Sequence, residues 1–385
     1  MCAHTHICTF LPVNQIFYDP GKKRPKLVCF EKILFEPTKE WGFAHHPAII
    51  WFKGRFYVMF SSGHVNEDDV GQVVRYTTSE DFEEWTEPEL LYGPIQGEFR
   101  EAVASPGGWY TDGETLVAYF HSFEYDESVL EDGHRAIGNK GHKNRRNQYR
   151  TSTDGVHWSE PQDSSAVGGN HQPARLQSGR LLCCGSARHS YSDNPDGIHD
   201  WHVSTCFPDG YPNNVDFDNG EGVAVDTPAG VVSDNLVGLC EGSFVQTDDG
   251  TIYMYYRSGT PYLWAAESHD NAETWTLPQP TKFTDNRTKF HFGRLPSGKF
   301  YYVGTPDPFP PRTRHVLVLS LSDNGLDFDQ HFILADTQYK GRFVGIDKNG
   351  VYGYPSTLVH DGYLYIVVSI CKEKILGLRV PVDTL

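Results

Sequence analysis

A turn glycine recurs at the centre of six similar segments: "AIIWFKGRFYVMF", "WYTDGETLVAYF", "ARLQSGRLLCCGS", "FVQTDDGTIYMYY", "GRLPSGKFYYVG" and "TLVHDGYLYIVVS". The glycines are Gly54, Gly113, Gly179, Gly250, Gly298 and Gly362. Each follows a turn former or lysine and precedes β-branched or aromatic residues, which is the pattern of a β-hairpin. They stand roughly 50–70 residues apart, a spacing that marks a repeat architecture. Four strands of ordinary length fill one such repeat. The expectation is an all-β chain folded as a six-bladed β-propeller. A β-sandwich is the alternative, but regular repeats of this length favour blades. Residues 1–385 are expected to form a single domain, with residues 1–40 closing the ring through "KLVCFEKILF".

A second repeat lies between the hairpins. "SEDFEEW" (79–85), "STDGVHW" (152–158), "SHDNAETW" (268–275) and the weaker "SDNGLDF" (322–328) each place a Ser/Asp-type turn before an aromatic. The acidic side chain can bond its own turn while the aromatic anchors the loop. The stretch 185–240 lacks such a copy and carries an irregular insertion.

Charge narrows the function. The chain has 33 Lys+Arg against 50 Asp+Glu, a formal net charge of −17. A broad basic surface for nucleic acid or anionic membrane is therefore not expected. The start of the chain lacks a basic stretch followed by a long apolar run, so the reading is a cytoplasmic protein. The eight cysteines form no CxxC pair and no zinc spacing; they read as reduced thiols. No cofactor is called for, and none of the 18 histidines shows a diagnostic metal spacing. Oligomeric state is open.

The strands that precede the turn glycines begin at corresponding positions with polar groups. These are His45-His46, Arg100-Glu101, His171, Glu241, His291 and Tyr354. A single such residue is more often part of a rim or turn. Six in phase point to one axial pocket, because buried Glu, Arg and His are costly unless paired or used. The partner strands end in His121, Arg257 and Lys372-Glu373, which would reach the same end. Arg257 closes the hairpin that Glu241 opens, so an ion pair between them is the plain expectation.

These features resemble the sialidase superfamily. The Asp-box-like turns cover most of the chain. "CEGSFVQTDDGTIYMYYRS" resembles the segment with the glutamate that activates the nucleophile and an arginine of the carboxylate-binding triad; this implies Glu241 and Arg257. "YGYPSTLVHDGYLYIVVS" resembles the segment of the catalytic tyrosine, implying Tyr354. "RTRHVLVLS" resembles the strand of the third triad arginine, implying Arg312 ahead of Arg314. "EDDVGQVVRYTTSEDFEEW" implies Asp69, or Asp68, as acid/base. Where sialidases carry Arg-Ile-Pro in the first blade, this chain has His45-His46-Pro47.

The resemblance implies a glycoside hydrolase for a terminal, anionic sugar of an oligosaccharide. Tyr354, Glu241 and Asp69 would be catalytic. Arg257, Arg312, His45, His46, Arg100, Glu101, His171 and His291 would bind substrate. A tyrosine nucleophile suits an anomeric centre that bears a carboxylate. The first alternative is a polysaccharide lyase in which an arginine neutralises a uronate and a histidine with Tyr354 moves the C5 proton. The second is a non-catalytic sugar-binding propeller that stacks sugars on Trp109, Trp201 or Trp264. The basic stretch "HRAIGNKGHKNRRNQYR" (134–150) reads equally as a loop over the pocket and as a solvated one.

Overall fold

A computed structural model describes residues 13–136, 141–166, 172–185, 188–206, 225–227, 230–232 and 239–385. It is all-β apart from two short 3-10 turns. Among the described residues, five sheets have four strands each. Four of these run as near-continuous antiparallel meanders, such as Phe43–Phe52, Arg55–Gly63, Val73–Ser79 and Glu89–Tyr92. The fifth joins Tyr352–His360, Tyr363–Ile370 and Lys374–Pro381 to Phe30–Phe35 from the other end of the chain. The arrangement is propeller-like.

A sixth sheet contains the same meander, Gly242–Gln246, Ile252–Tyr256, Tyr262–Ser268 and Gln279–Thr284. It is extended by Val13–Tyr18, which pairs in parallel with Gln279–Thr284 and with Asp327–Phe328.

The turn glycines do what their spacing predicts. All six have positive φ, from 77° at Gly362 to 99° at Gly113. A side chain at Gly54, Gly113, Gly250 or Gly362 would meet open space, so backbone conformation rather than crowding calls for glycine there. The four Ser-containing turns share one hydrogen-bond pattern. Ser79, Ser152, Ser268 and Ser322 each accept from a turn N–H, and Asp81, Asp154, Asp270 and Asn324 accept from N–H groups further on.

Apolar residues of neighbouring sheets pack face to face. Leu319, Val303, Ile366 and Val368 belong to one such layer, and Met59, Val74, Ala104 and Trp109 to another. The three tryptophans considered for sugar stacking belong to apolar clusters of this kind: Trp109, Trp201 and Trp264 are all buried. They fill space between sheets and cannot present a face to a ligand. The six cysteines among the described residues form no disulfide. No helix among the described residues is long and apolar enough to cross a membrane.

Candidate active site

Three of the strands that lead to the site carry bulges. Pairing slips between His45 and Ala48, between Pro106 and Gly108, and between Gly353 and Ser356. Each slip contains or adjoins a proline (Pro47, Pro106, Pro355), which cannot donate to the ladder. A bulge re-aims a side chain that regular alternation would send elsewhere. His46 and Tyr354 sit in these bulges with φ of 54° and 58°. Asp68, Arg314 and Lys372 also have positive φ. Non-glycine residues in this region cost energy and cluster at functional sites.

Tyr354 and Glu241 meet at the centre. The Tyr354 hydroxyl donates to Glu241 Oε1 through a short hydrogen bond. One guanidinium nitrogen of Arg257 donates to Glu241 Oε2 at 2.7 Å and Oε1 at 3.0 Å, and to the tyrosine oxygen at 2.9 Å. Burial pushes the Glu241 carboxyl up, but Arg257 and the tyrosine hydroxyl outweigh it, and the carboxyl is pulled down to about 2. Burial, then the Glu241 charge, hold the Tyr354 hydroxyl well above the usual phenol range. The resting pair is therefore a phenol bonded to a carboxylate.

Two more cations face the tyrosine ring. Arg314 Cζ lies 5.8 Å from its centroid and Lys289 Nζ 5.6 Å. Arg314 is buried, fixed through its backbone N–H on Asn286 at 2.8 Å, and leaves Nε and one terminal nitrogen without a partner. Burial lowers Lys289 to about 8, with Glu241 opposing. Behind the arginines Asp285 is wholly buried with Oδ1 unpartnered, and burial raises its carboxyl to about 7.

His45 packs against the Tyr354 ring at a tilt, 4.1 Å between centroids, and His46 lies edge-on at 5.0 Å. Both imidazoles face Glu67, whose other oxygen pairs closely with Lys372. His45, His46 and Glu67 are the residues whose donor atoms converge closely enough to hold a metal, among the described residues.

The two aspartates differ. Asp69 is buried and accepts from Asn66 at 2.8 Å, Val70 N–H at 2.9 Å, Arg135 N–H at 2.8 Å and His134 at 3.0 Å. Four donors tie it into its loop. Asp68 is half-buried, takes a long 3.4 Å bond from Ser105, and is raised to about 6 by burial and by the Glu67 charge.

The structure thus brings together Tyr354, Glu241, Arg257, His45 and His46. It does not bring Arg312, which is exposed; Arg314, two residues on, occupies the place beside the ring. Arg100 and Glu101 are exposed at the edge, with Arg100 paired to Glu127 at 3.3 Å. His291 is tied through Nδ1 to the Thr357 N–H at 2.8 Å and lines a cavity of about 330 Å³ with Phe244 and Phe292, which neither Tyr354 nor Glu241 lines. His171 lies outside the described residues. Of the basic stretch, His134 and Arg135 do reach the site's edge, Arg135 bonding the Glu67 carbonyl at 2.7 Å and Asp347 at 2.7 Å. Lys289 and Glu67 were missed. Lys289 stands two residues before His291, in phase with the strand starts, and Glu67 directly precedes the acidic pair.

Comparison with known proteins agrees with this architecture. A protein from Dyadobacter fermentans of unknown function is similar over 94% of this chain and 100% of its own, at 16% identity and a TM-score of 0.61. A Hadza microbial sialidase is similar at 11% identity and a TM-score of 0.64, covering 90% of this chain and 67% of that one. The intramolecular trans-sialidase from Ruminococcus gnavus, determined with oseltamivir carboxylate, is similar at 14% identity and a TM-score of 0.60, covering 91% and 97%. No curated protein sequence matches the chain. The fold is that of the sialidase-like superfamily. Within it, the chain belongs to the BNR repeat-like domain family, whose model matches residues 54–366.

Proposed function

We propose that this protein is a glycoside hydrolase acting on a terminal, carboxylate-bearing sugar of an oligosaccharide. The observation that carries the reading is the buried Tyr354–Glu241 hydrogen bond with Arg257 touching both groups. A phenol held on a carboxylate is a nucleophile with its base in place. The reading also takes the six-stranded sheet as a sixth blade of one ring formed by the whole chain.

In the proposed reaction the Tyr354 oxygen attacks the anomeric carbon while its proton passes to Glu241. Asp68 protonates the departing glycosidic oxygen. Its carboxyl, raised to about 6, is better suited to this than Asp69, whose oxygens are already taken. Asp68 then deprotonates the water that cleaves the tyrosyl–sugar bond, and the proton on Glu241 returns to Tyr354. Arg257 and Arg314 hold the substrate carboxylate. As Arg257 turns toward that carboxylate it releases Glu241, whose basicity rises at the moment a base is needed.

A screen of chromogenic glycosides of carboxylated and neutral sugars tests the reading. Release from carboxylated substrates, abolished in Glu241→Gln, is the expected result. A lyase reading rests on His46 standing edge-on to Tyr354, next to His45, which takes the place of the arginine in the Arg-Ile-Pro pattern. Products absorbing in the ultraviolet through a new C4–C5 double bond would select it, and no turnover of any glycan would leave a binding protein.

A further inference from the structure

The imidazoles of His45 and His46 are oriented by two serines in the same way. Ser369 Oγ lies 2.6 Å from His45 Nδ1 and donates its only proton to the Gly353 carbonyl at 3.0 Å. Ser61 Oγ lies 2.9 Å from His46 Nδ1 and donates its only proton to the His45 carbonyl at 3.0 Å. Each serine must therefore accept from Nδ1–H. Both histidines then carry a lone pair on Nε2. Those two nitrogens approach the same carboxylate oxygen, Glu67 Oε1, at 3.6 and 3.8 Å. Three acceptors converge with no donor among them, and His45 Nε2 is buried without a hydrogen-bond partner.

What fits between them is decided by distance. Separations of 3.6 and 3.8 Å are too long for a shared proton, since such bonds end near about 3.2 Å. A water about 2.8 Å from two acceptors this close would be pinched to an angle of about 80–85° at its oxygen, and its two protons cannot serve three acceptors. His45 is fully buried, so a substrate hydroxyl cannot reach it. Two ligands of one tetrahedral zinc stand about 3.3–3.4 Å apart, given bonds of about 2.0–2.1 Å. The two edges to Glu67 need a contraction of a few tenths of an ångström, and the three donor atoms all lie within 4.8 Å of one another.

We propose that His45 Nε2, His46 Nε2 and Glu67 Oε1 bind a divalent transition metal of the zinc class. Lys372 takes the other Glu67 oxygen and so directs Oε1 to the ion. The serine bonds fix each ring as outer partners of metal-bound histidines do. Two imidazole nitrogens with a single carboxylate oxygen favour zinc or cobalt over magnesium or calcium, which take oxygen ligands. Three protein ligands leave a fourth position for water or a ligand oxygen, and the partial exposure of His46 and Glu67 lets it open to the pocket. The inference is independent of the glycosidase reading.

The test uses the full chain, stripped with chelator, equilibrated with Zn²⁺ or Co²⁺ and desalted. Metal analysis should return a single ion per chain, and the Co²⁺ form should show visible absorption of a low-coordinate nitrogen–oxygen site. Mg²⁺ should not be retained. His46→Ala and Glu67→Gln should lose the ion, with circular dichroism verifying that each folds. A wild-type chain that retains neither Zn²⁺ nor Co²⁺ overturns the proposal, whatever its variants do. So does retention unchanged in both His46→Ala and Glu67→Gln.

Discussion

The Tyr354 hydroxyl donates to Glu241 across 113 positions of sequence, so two sheets must be in register before the pair exists. Removing either partner tests what the pair does. Glu241→Gln keeps the shape and loses the base, and turnover of a carboxylated glycoside should fall by about 10²–10⁴-fold. Tyr354→Phe should fall at least as far. Thermal melting alongside the rates separates chemistry from folding, and unchanged turnover in both variants would sink the assignment.

Arg257 should matter for stability as well as binding. It is the closest cationic partner of the buried Glu241, at 2.7 Å. Arg257→Met leaves a buried carboxylate unpaired, a loss on the order of 3–5 kcal/mol. Pairing it with Glu241→Gln should return much of that loss. A double variant no more stable than Arg257→Met in denaturant unfolding would show that the ion pair is not the cause.

The two candidate arginines of one loop make opposite predictions. Arg314 is buried beside the Tyr354 ring with unpartnered nitrogens, whereas Arg312 is exposed. Arg314→Ala should raise KM for an anionic substrate by about 10–100-fold, the worth of one charge-assisted contact. Arg312→Ala should leave it unchanged. The reverse outcome would restore the order of preference suggested by sequence.

Why sequence ranked those two the other way is instructive. Gly54 or Gly250 is legible because only a positive φ calls for glycine there, and the need is local. Ser152 and Asp154 are legible because their bonds close within the turn. Glu241 and Arg257 are legible because one hairpin joins them, the register pairing Gly242 with Tyr256 beside them. Arg314, Asp68 and His46 are different. All three have positive φ, so strand alternation no longer says which way the side chain points. The choice between Asp68 and Asp69 hangs on donors such as Arg135, 66 positions away. The facing of His45 on Glu67 depends on Ser369, from the far end of the chain.

Asp68 supplies a pH test. Its carboxyl titrates near 6 in the folded protein against about 3.9 when unfolded. The folded state therefore binds the proton more tightly. The stability this contributes is full below about pH 4 and is lost as pH rises through about 6. Asp68→Asn, which cannot ionise, should be more stable than wild type at pH 8 by on the order of 1–3 kcal/mol and no more stable at pH 4. Under the hydrolase reading the same substitution removes the acid, so activity should fall while stability rises. Melts that show no pH-dependent gap between the two proteins would refute the raised carboxyl.

Gly353 is the last point where packing and chemistry meet. A Cβ there would stand 2.9 Å from His45 Cε1 and 3.1 Å from Ser369 Oγ. Neither neighbour can retreat easily, since His45 is buried and bonded to Ser369 at 2.6 Å. Gly353→Ala should cost about 1–3 kcal/mol from overpacking. The strain falls beside Tyr354, whose own φ of 58° depends on the bulge that Gly353 opens. The tyrosine should shift off Glu241, so turnover should fall more than a surface variant of equal instability would allow. A matched control is Gly362→Ala, whose φ of 77° makes it destabilising while its Cβ meets nothing. Equal activity in two variants of equal melting temperature would show that Gly353 serves stability alone.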